Sequence, residues 1–311
     1  MATNGVNFTY GDQARREDLL DVLTNIDPTE DRLFKLFGKT TAYNTLHEWP
    51  IKSLETVGDN AQVEGSEAPA DASENPGRLQ NITQIFSKTA KVSGTEQAVT
   101  QAGFSDRMAL EIVDKMKALS NDVEFALVRG SIASGVASDA GAGSERRLEG
   151  VKNWISTNNV NHSGATLTET RFNDQLESQW QQGGKATVAV TSMKGKRRIS
   201  GFTAGSTKNI DAEDKKLVNS VAVYESDSAD TVRLYAHRYV TMSGDYTGNA
   251  TPGFDVITVQ DDLWKVSILQ GREPKTEDLA KSGDYTRKQI LTELTLESRA
   301  EQGSAIGKVF F

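Results

Sequence analysis

Few residues in this chain of 311 are equipped for chemistry, and their spacing does not gather them. There is no cysteine, which removes thiolate nucleophiles, disulfides and Cys-based zinc sites together. His47, His162 and His237 are the three histidines and lie far apart, without metal-ligand spacing. FGKT, Phe37–Thr40, looks like the end of a phosphate-binding loop, but Leu33 stands where a glycine is required and no buried strand precedes it. GAGSER, residues 141–146, offers two glycines of a dinucleotide fingerprint without its strand–turn–helix context. No G-x-S-x-G elbow occurs, and no spaced His–Asp pair could activate a serine.

Carboxylates fare little better. Asp261-Asp262 and the cluster of Asp211, Glu213 and Asp214 could take a cation, yet adjacent acids at a turn read first as solvated. His237, on the polar face of a strand-like run, reads as a surface or interface histidine. The densest basic cluster, KGKRR at Lys194–Arg198, falls between two strand-like runs and reads as a solvated hairpin turn before a phosphate site. No catalytic constellation emerges. Weight moves from an enzyme towards a structural protein.

The bulk properties agree. The chain is longer than one core usually serves, with 37% hydrophobic residues, which suits a molecule that completes its burial against partners. Its net charge of −8 comes from the first 150 residues, with 23 acids against 15 bases, while residues 151–311 hold 20 of each. That is no nucleic-acid footprint. No long apolar run or signal core is present, so the N-x-S/T sequons at Asn7, Asn81, Asn161 and Asn249 carry no glycosylation meaning and a cytoplasm-like compartment is expected.

The elements that must position these residues follow from periodicity. The stretch REDLLDVLTNIDPTEDRLFKLFGK predicts short amphipathic helices broken at Pro28, in an arm that needs its own body or a neighbour to cover Leu33, Phe34 and Phe37. Strand-like runs at Ala42–Leu54 and Arg78–Ser93 flank Glu55–Gly77, which has six acids and no base. That connection reads either as a solvated, self-repelling tip or as a projecting hairpin lying on a neighbouring subunit. Met108, Ile112, Met116, Leu119, Val123 and Leu127 predict a strut helix with both methionines in the core. Its expected N-cap is Ser105, with Asp106 in the first turn, a Glu111–Lys115 pair, and Gly130 as its stop.

A loose small-residue passage, Ser134–Ile155, then leads into an α/β pattern. Phe172, Leu176 and Trp180 predict one face of a helix stopped by Gly183-Gly184. Strand-like runs follow at KATVAVTS, KRRISGF, KLVNSVAVYES, DTVRLYAHRYV, FDVITVQ and LWKVSILQG. REPKTEDLAKSGD reads as a polar turn, and RKQILTELTLESR as the final strand.

An arm, a long hairpin with an acidic tip, a strut helix, an α/β insertion and a terminal strand, in that order, resemble the major capsid proteins of tailed bacteriophages. Their Hong-Kong-97-like fold is shared by encapsulin shells. Individual words carry the likeness further: REDLLDVLTNIDPTEDRLFKLFGKTTAYNTLHEW, VEGSEAPA, NITQIFSKTAKVSGTEQAV, DVEFALV, RRLEGVKNWI, RRISGF, HRYV, DLWKV and KTEDLAKSGDYTRKQI. They look like the major capsid protein family typified by phage SU-ten, and run in order from Arg16 to Ile290.

The resemblance implies an α+β fold with an N-terminal arm at 1–41 and an extended β-hairpin loop at 42–93, its acidic tip at 55–77. A peripheral domain at 94–150 would hold the spine helix 105–129 and a flexible loop. An α/β axial domain at 151–254 and a return to the peripheral domain at 255–311, with the C-terminal strand, complete it. The implied subunit assembles with itself, through hexamers and pentamers, around double-stranded DNA that it does not read by sequence. Its implied partners are a portal, a scaffolding protein and a decoration protein. Its place is the virion, after assembly in the host cytoplasm, with no membrane, cofactor or metal. The arm begins within twenty residues of Met1, so a separate scaffolding protein, or none, is expected in place of a cleaved N-terminal one.

Candidate inter-subunit contacts are Arg15, Arg16, Phe34, Phe37, Trp49, Glu64, Glu67, Arg78, Arg146, Arg147, Lys196 and Arg197. KGKRR and Arg146-Arg147 are the first candidates for any genome contact. An encapsulin-like nanocompartment shell and a carboxylate-based enzyme remain as other readings.

Overall fold

The structure, a computed structural model, describes residues 30–52, 54, 57–68, 75–99, 106–135, 143–202, 210–211, 216–217, 221–226, 231–240 and 253–310. Arg15, Arg16, the first arm helix, Ser105, Glu213, Asp214 and residues 136–142 of the small-residue passage lie outside that set.

The described chain opens with α1 (Arg32–Leu36), β1 (Gly38–Ala42) and a hairpin of β2 (Leu46–Ile51) and β3 (Gly77–Ile82). After β4 (Gln84–Ser93) and α2 (Gly94–Ala98) comes the long α3 (Arg107–Arg129). Next are α4 (Val151–Trp154), β5 (Asn159–Asn161), α5 (Glu169–Gln181), β6 (Val188–Thr191) and α6 (Met193–Ser200). Short β7 (Ile210–Asp211), β8 (Lys216–Leu217) and β9 (Val223–Glu225) precede β10 (Thr231–Ala236). The chain ends with β11 (Phe254–Val259), β12 (Trp264–Leu269), β13 (Lys275–Leu279), β14 (Tyr285–Ser298) and β15 (Ala305–Phe310).

Two sheets organise these elements. A five-stranded sheet runs β1-β12-β14-β13 with β4 also on β14, and a six-stranded sheet runs β5-β15-β11-β6-β10-β9. β14 is the beam of the first. It pairs with β4 along Tyr285–Leu294 and, on its other edge, with β13 and then β12. Strand alternation gives it two characters. Ile290, Leu294 and Leu296 enter the main core, while Glu293 and Glu297 are buried on the opposite, polar face.

The main core joins α1, α3 and α4 to both sheets, with Phe37 stacked on Trp264 at 5.9 Å. A second core covers the other face of the six-stranded sheet with α5 and α6. α3 starts where Asp106 accepts the N–H groups of Met108 and Ala109, and stops at Gly130. There a Cβ would sit 2.5 Å from the Leu148 carbonyl oxygen, so the glycine answers to close packing. Among the described residues no helix is long and apolar enough to cross a membrane.

Several expectations change. The cap of α3 is Asp106, Glu111 pairs with Arg107 at 2.9 Å instead of Lys115, and Met116 is exposed, because the buried stripe narrows in mid-helix. Lys194–Arg198 form no hairpin turn and KRRISGF is not a strand; the first lies in α6 and the second runs from α6 through its C-cap Gly201 to Phe202, and within the helix only Gly195 and Ile199 are buried, at helical spacing. REPKTEDLAKSGD contains β13, a charged edge strand with no alternation to reveal it.

β14 is not the final strand, because β15 follows it and inserts between β11 and β5. β11 stays in the six-stranded sheet, so the chain leaves that sheet after Val259 and not at 254, and returns to it at 305. β4 belongs to the five-stranded sheet, which leaves β2 and β3 as the hairpin proper. Phe172 and Leu176 are buried as expected of α5, but Trp180 is 59% exposed.

Candidate assembly joints and surfaces

α1 is five residues long and lacks a side-chain cap of its own, because Asp31 makes none. Its cap comes from α3. Glu124 accepts the N–H groups of Leu33 at 2.6 Å and Phe34 at 3.0 Å, the second and third helical positions that an N-cap serves. Asn121, one turn earlier, accepts the N–H of Glu30 at 2.7 Å. The same Glu124 carboxylate meets His237 Nε2 at 2.8 Å, with both side chains fully buried. The Tyr239 N–H donates to His237 Nδ1, which leaves Nε2 to carry the proton and donate to Glu124. Three segments therefore meet at one buried carboxylate: the end of the arm, the strut helix and the turn after β10. His237 is neither a surface nor an interface histidine. Strand alternation ends one residue before it, where β10 stops at Ala236.

The hairpin has its own anchorage. Asn81, fully buried, donates to the carbonyl oxygens of Glu149 and Leu296 and accepts the N–H groups of Glu149 and Ile82. Trp49 donates its indole N–H to the Ser298 carbonyl at 2.8 Å and packs on Trp154 at 5.7 Å. Beside it Glu297 gathers His47, Thr40, Ser267 and Arg299. Burial pushes the Glu297 carboxyl up, but hydrogen bonds from His47 and Arg299, the Arg299 charge and the Thr40 bond outweigh it and hold it at about 2. Beyond this base Leu54, Val57 and Val63 are 95%, 98% and 80% exposed.

The expected contact residues divide sharply. Phe37 and Trp49 are buried inside the chain and offer no face to a neighbour, and Phe34 packs partly against the same core. Arg146 donates to the buried Glu293 at 2.8 Å, so it fastens its own segment to β14 and is not a free cation for a genome. Arg147 pairs at the surface with Glu145, and Arg78 with Glu48. Glu64, Glu67 and Arg197 are exposed and Lys196 half-exposed. Asp261 is engaged by Thr187 and Arg233, which accounts for it without a cation. Among the described residues no three potential ligands cluster to hold a metal.

The model of the SU10 major capsid protein family matches residues 2–310. The chain belongs to that family. A curated relative, the major capsid protein of Escherichia phage Phieco32, is 26% identical over 141 residues, or 45% of this chain. The chain spans 40% of that relative's length. The capsid structure of the cyanophage P-SCSP1u matches with a TM-score of 0.59 at 10% identity, over 99% of this chain and 96% of that one. The holo-SrpI encapsulin complex from Synechococcus elongatus PCC 7942 matches at 0.58 and 11% identity, over 95% and 92%. At such identities the likeness is one of fold, and the fold of this capsid-family chain is Hong-Kong-97-like. The residues that sequence reasoning missed in it, Glu124, Asn81, Glu293 and Glu297, are buried polar groups whose partners come from distant segments.

Proposed function

We propose that this chain is the repeating subunit of a tailed-phage shell, assembling through hexamers and pentamers around double-stranded DNA. The observation that carries the reading is the hairpin. Its base is locked to β14 by Trp49 and Asn81, while Leu54, Val57 and Val63 beyond that base are nearly bare. Apolar side chains on an anchored projection find their burial on another molecule. On this reading the tip of one copy lies on the cleft between β4 and α3 of the next. Exposed Ile85 and Phe125 supply an apolar floor there, and Arg129 a basic edge for the acids Asp59, Glu64 and Glu67.

The five-stranded sheet with α3 then forms the peripheral domain and the six-stranded sheet the axial one. A portal, a scaffolding protein and a decoration protein are the further partners of such a shell, in a virion put together in the host cytoplasm. The likeness to an encapsulin favours one second reading, a shell filled with protein cargo. Sedimentation and negative-stain electron microscopy of the expressed chain test the first. Closed particles or capsomers are expected, and a monodisperse monomer at high concentration would oppose it. Nuclease-protected DNA in particles from infected cells separates a genome shell from a cargo shell.

A further inference from the structure

α5 and α6 pack on the same face of the six-stranded sheet and carry opposite charges outward. On α5, Glu169, Asp174 and Glu177 surround a groove of about 590 Å3 whose apolar wall is Leu176 and the exposed Trp180. On α6, Lys194, Arg197 and Arg198 rim a second cleft that Glu169 also lines at its α5 side, Lys196 is half-exposed on the same helix, and Met193 stands exposed at the helix start. Among the described residues, none of these three acids or four bases belongs to an ion pair; the pairs of this region are instead Lys152 with Asp255 and Arg233 with Asp261. An acidic groove with an aromatic wall therefore shares a domain with a basic helix, with no ion pair between them among the described residues, and each matches what the other lacks.

Resting on the shell reading, we infer that the basic face of α6 in one copy seats in the acidic Trp180 groove of α5 in the next copy around a capsomer. The two patches differ, so the contact is heterologous, and repetition by rotation closes a ring. Trp180 supplies the buried anchor and the charges fix direction, since like faces repel. Met193 extends the apolar contact at one end of the groove. This assigns Trp180, whose exposure the packing of its own chain does not require, to a neighbour.

Two reversed chains test the inference, Asp174→Lys with Glu177→Lys, and Arg197→Glu with Arg198→Glu. All four positions are exposed, so each variant is expected to keep the melting temperature of the unaltered subunit. Expressed alone, each is expected to lose roughly tenfold or more of its sedimenting assemblies, because every ring contact then opposes like charges. Co-expressed, the two restore assembly. In an alternating ring every contact again pairs opposite charges, which closes only with an even number of copies, so hexamers return without pentamers.

Either reversed chain assembling alone at the yield of the unaltered chain overturns the inference. So does failure of the mixture when one chain bearing both reversals assembles, since pairing would then lie within a chain. No particle from the unaltered protein strikes at the shell reading itself, and the interface falls with it.

Discussion

Replacing Glu124 with alanine should release α1 from the strut helix α3. The side chain is fully buried and receives three donors, the N–H groups of Leu33 and Phe34 and the Nε2–H of His237. Stranding a buried donor costs about 1–3 kcal/mol, but the three share one cavity and their costs do not add. Three stranded donors at that cost, discounted for non-additivity, point to a total loss of about 3–5 kcal/mol. That is a large share of a stability of about 5–15 kcal/mol. Glu124→Gln keeps a carbonyl acceptor while turning an amide NH2 towards one donor, so about 1–3 kcal/mol is expected. Urea unfolding gives the totals, and hydrogen exchange reads the joint itself. At about 1.4 kcal/mol per factor of ten, the Leu33 and Phe34 amides should exchange at least a hundredfold faster in Glu124→Ala. Unchanged exchange at those two amides, or a stability within about 0.5 kcal/mol of the parent, would refute the claim that α3 caps α1.

Other expectations follow from neighbouring features. Glu297, held at about 2 against an ordinary 4.5, contributes stability present above pH 4.5 and lost as pH falls towards 2. Its worth is about 1–3 kcal/mol, after discounting for the solvent-exposed Arg299, and Glu297→Gln should flatten the loss of melting temperature between pH 5 and pH 2.5. Asn81→Leu strips four hydrogen bonds from the hairpin base and should cost about 2–4 kcal/mol in urea unfolding, with faster proteolytic cutting between β2 and β3. Gly130→Ala drives a methyl into the Leu148 carbonyl and should cost about 1–3 kcal/mol by thermal unfolding, whereas Gly58→Ala, with open space around it, should be neutral. Residues 57–68 should exchange quickly in free subunits and slowly in particles; equal protection in both would remove the hairpin from the interface.

The strut helix was legible because its apolar residues recur at helical spacing and glycine ends it, signals that need no knowledge of the neighbours. Even so, burial along α3 concentrates towards its C-terminal half, which periodicity cannot foresee. β13 and β15 were illegible for different reasons. β13 is an edge strand whose exposed charges carry no alternation. β15 contains Gly307, where a Cβ would press on Phe310 and Gln175, and its short run resembles a loose tail until β11 and β5 close around it. α6 misled because a helix burying only two residues has almost no apolar signature. The Glu124 joint was beyond reach in principle, since its partners stand 90, 91 and 113 positions away. A buried glutamate in the strut reads in sequence as one more solvated helix charge.

The passage after the strut helix has a practical use. Ala133 and Arg147 exchange two backbone hydrogen bonds, at 3.1 and 3.0 Å, and Gly150 donates to the Gly130 carbonyl at 2.9 Å. Both ends of the excursion are thus riveted before the chain departs and after it returns. Doubling the length of such a closed excursion adds only about 0.6 kcal/mol of closure entropy. Foreign peptide grafted between Gly135 and Gly143 would hang from a fixed doorway, leaving the load path from α3 into α4 unaltered. A shell built from this subunit would then carry that graft once per copy, at a spacing set by the lattice.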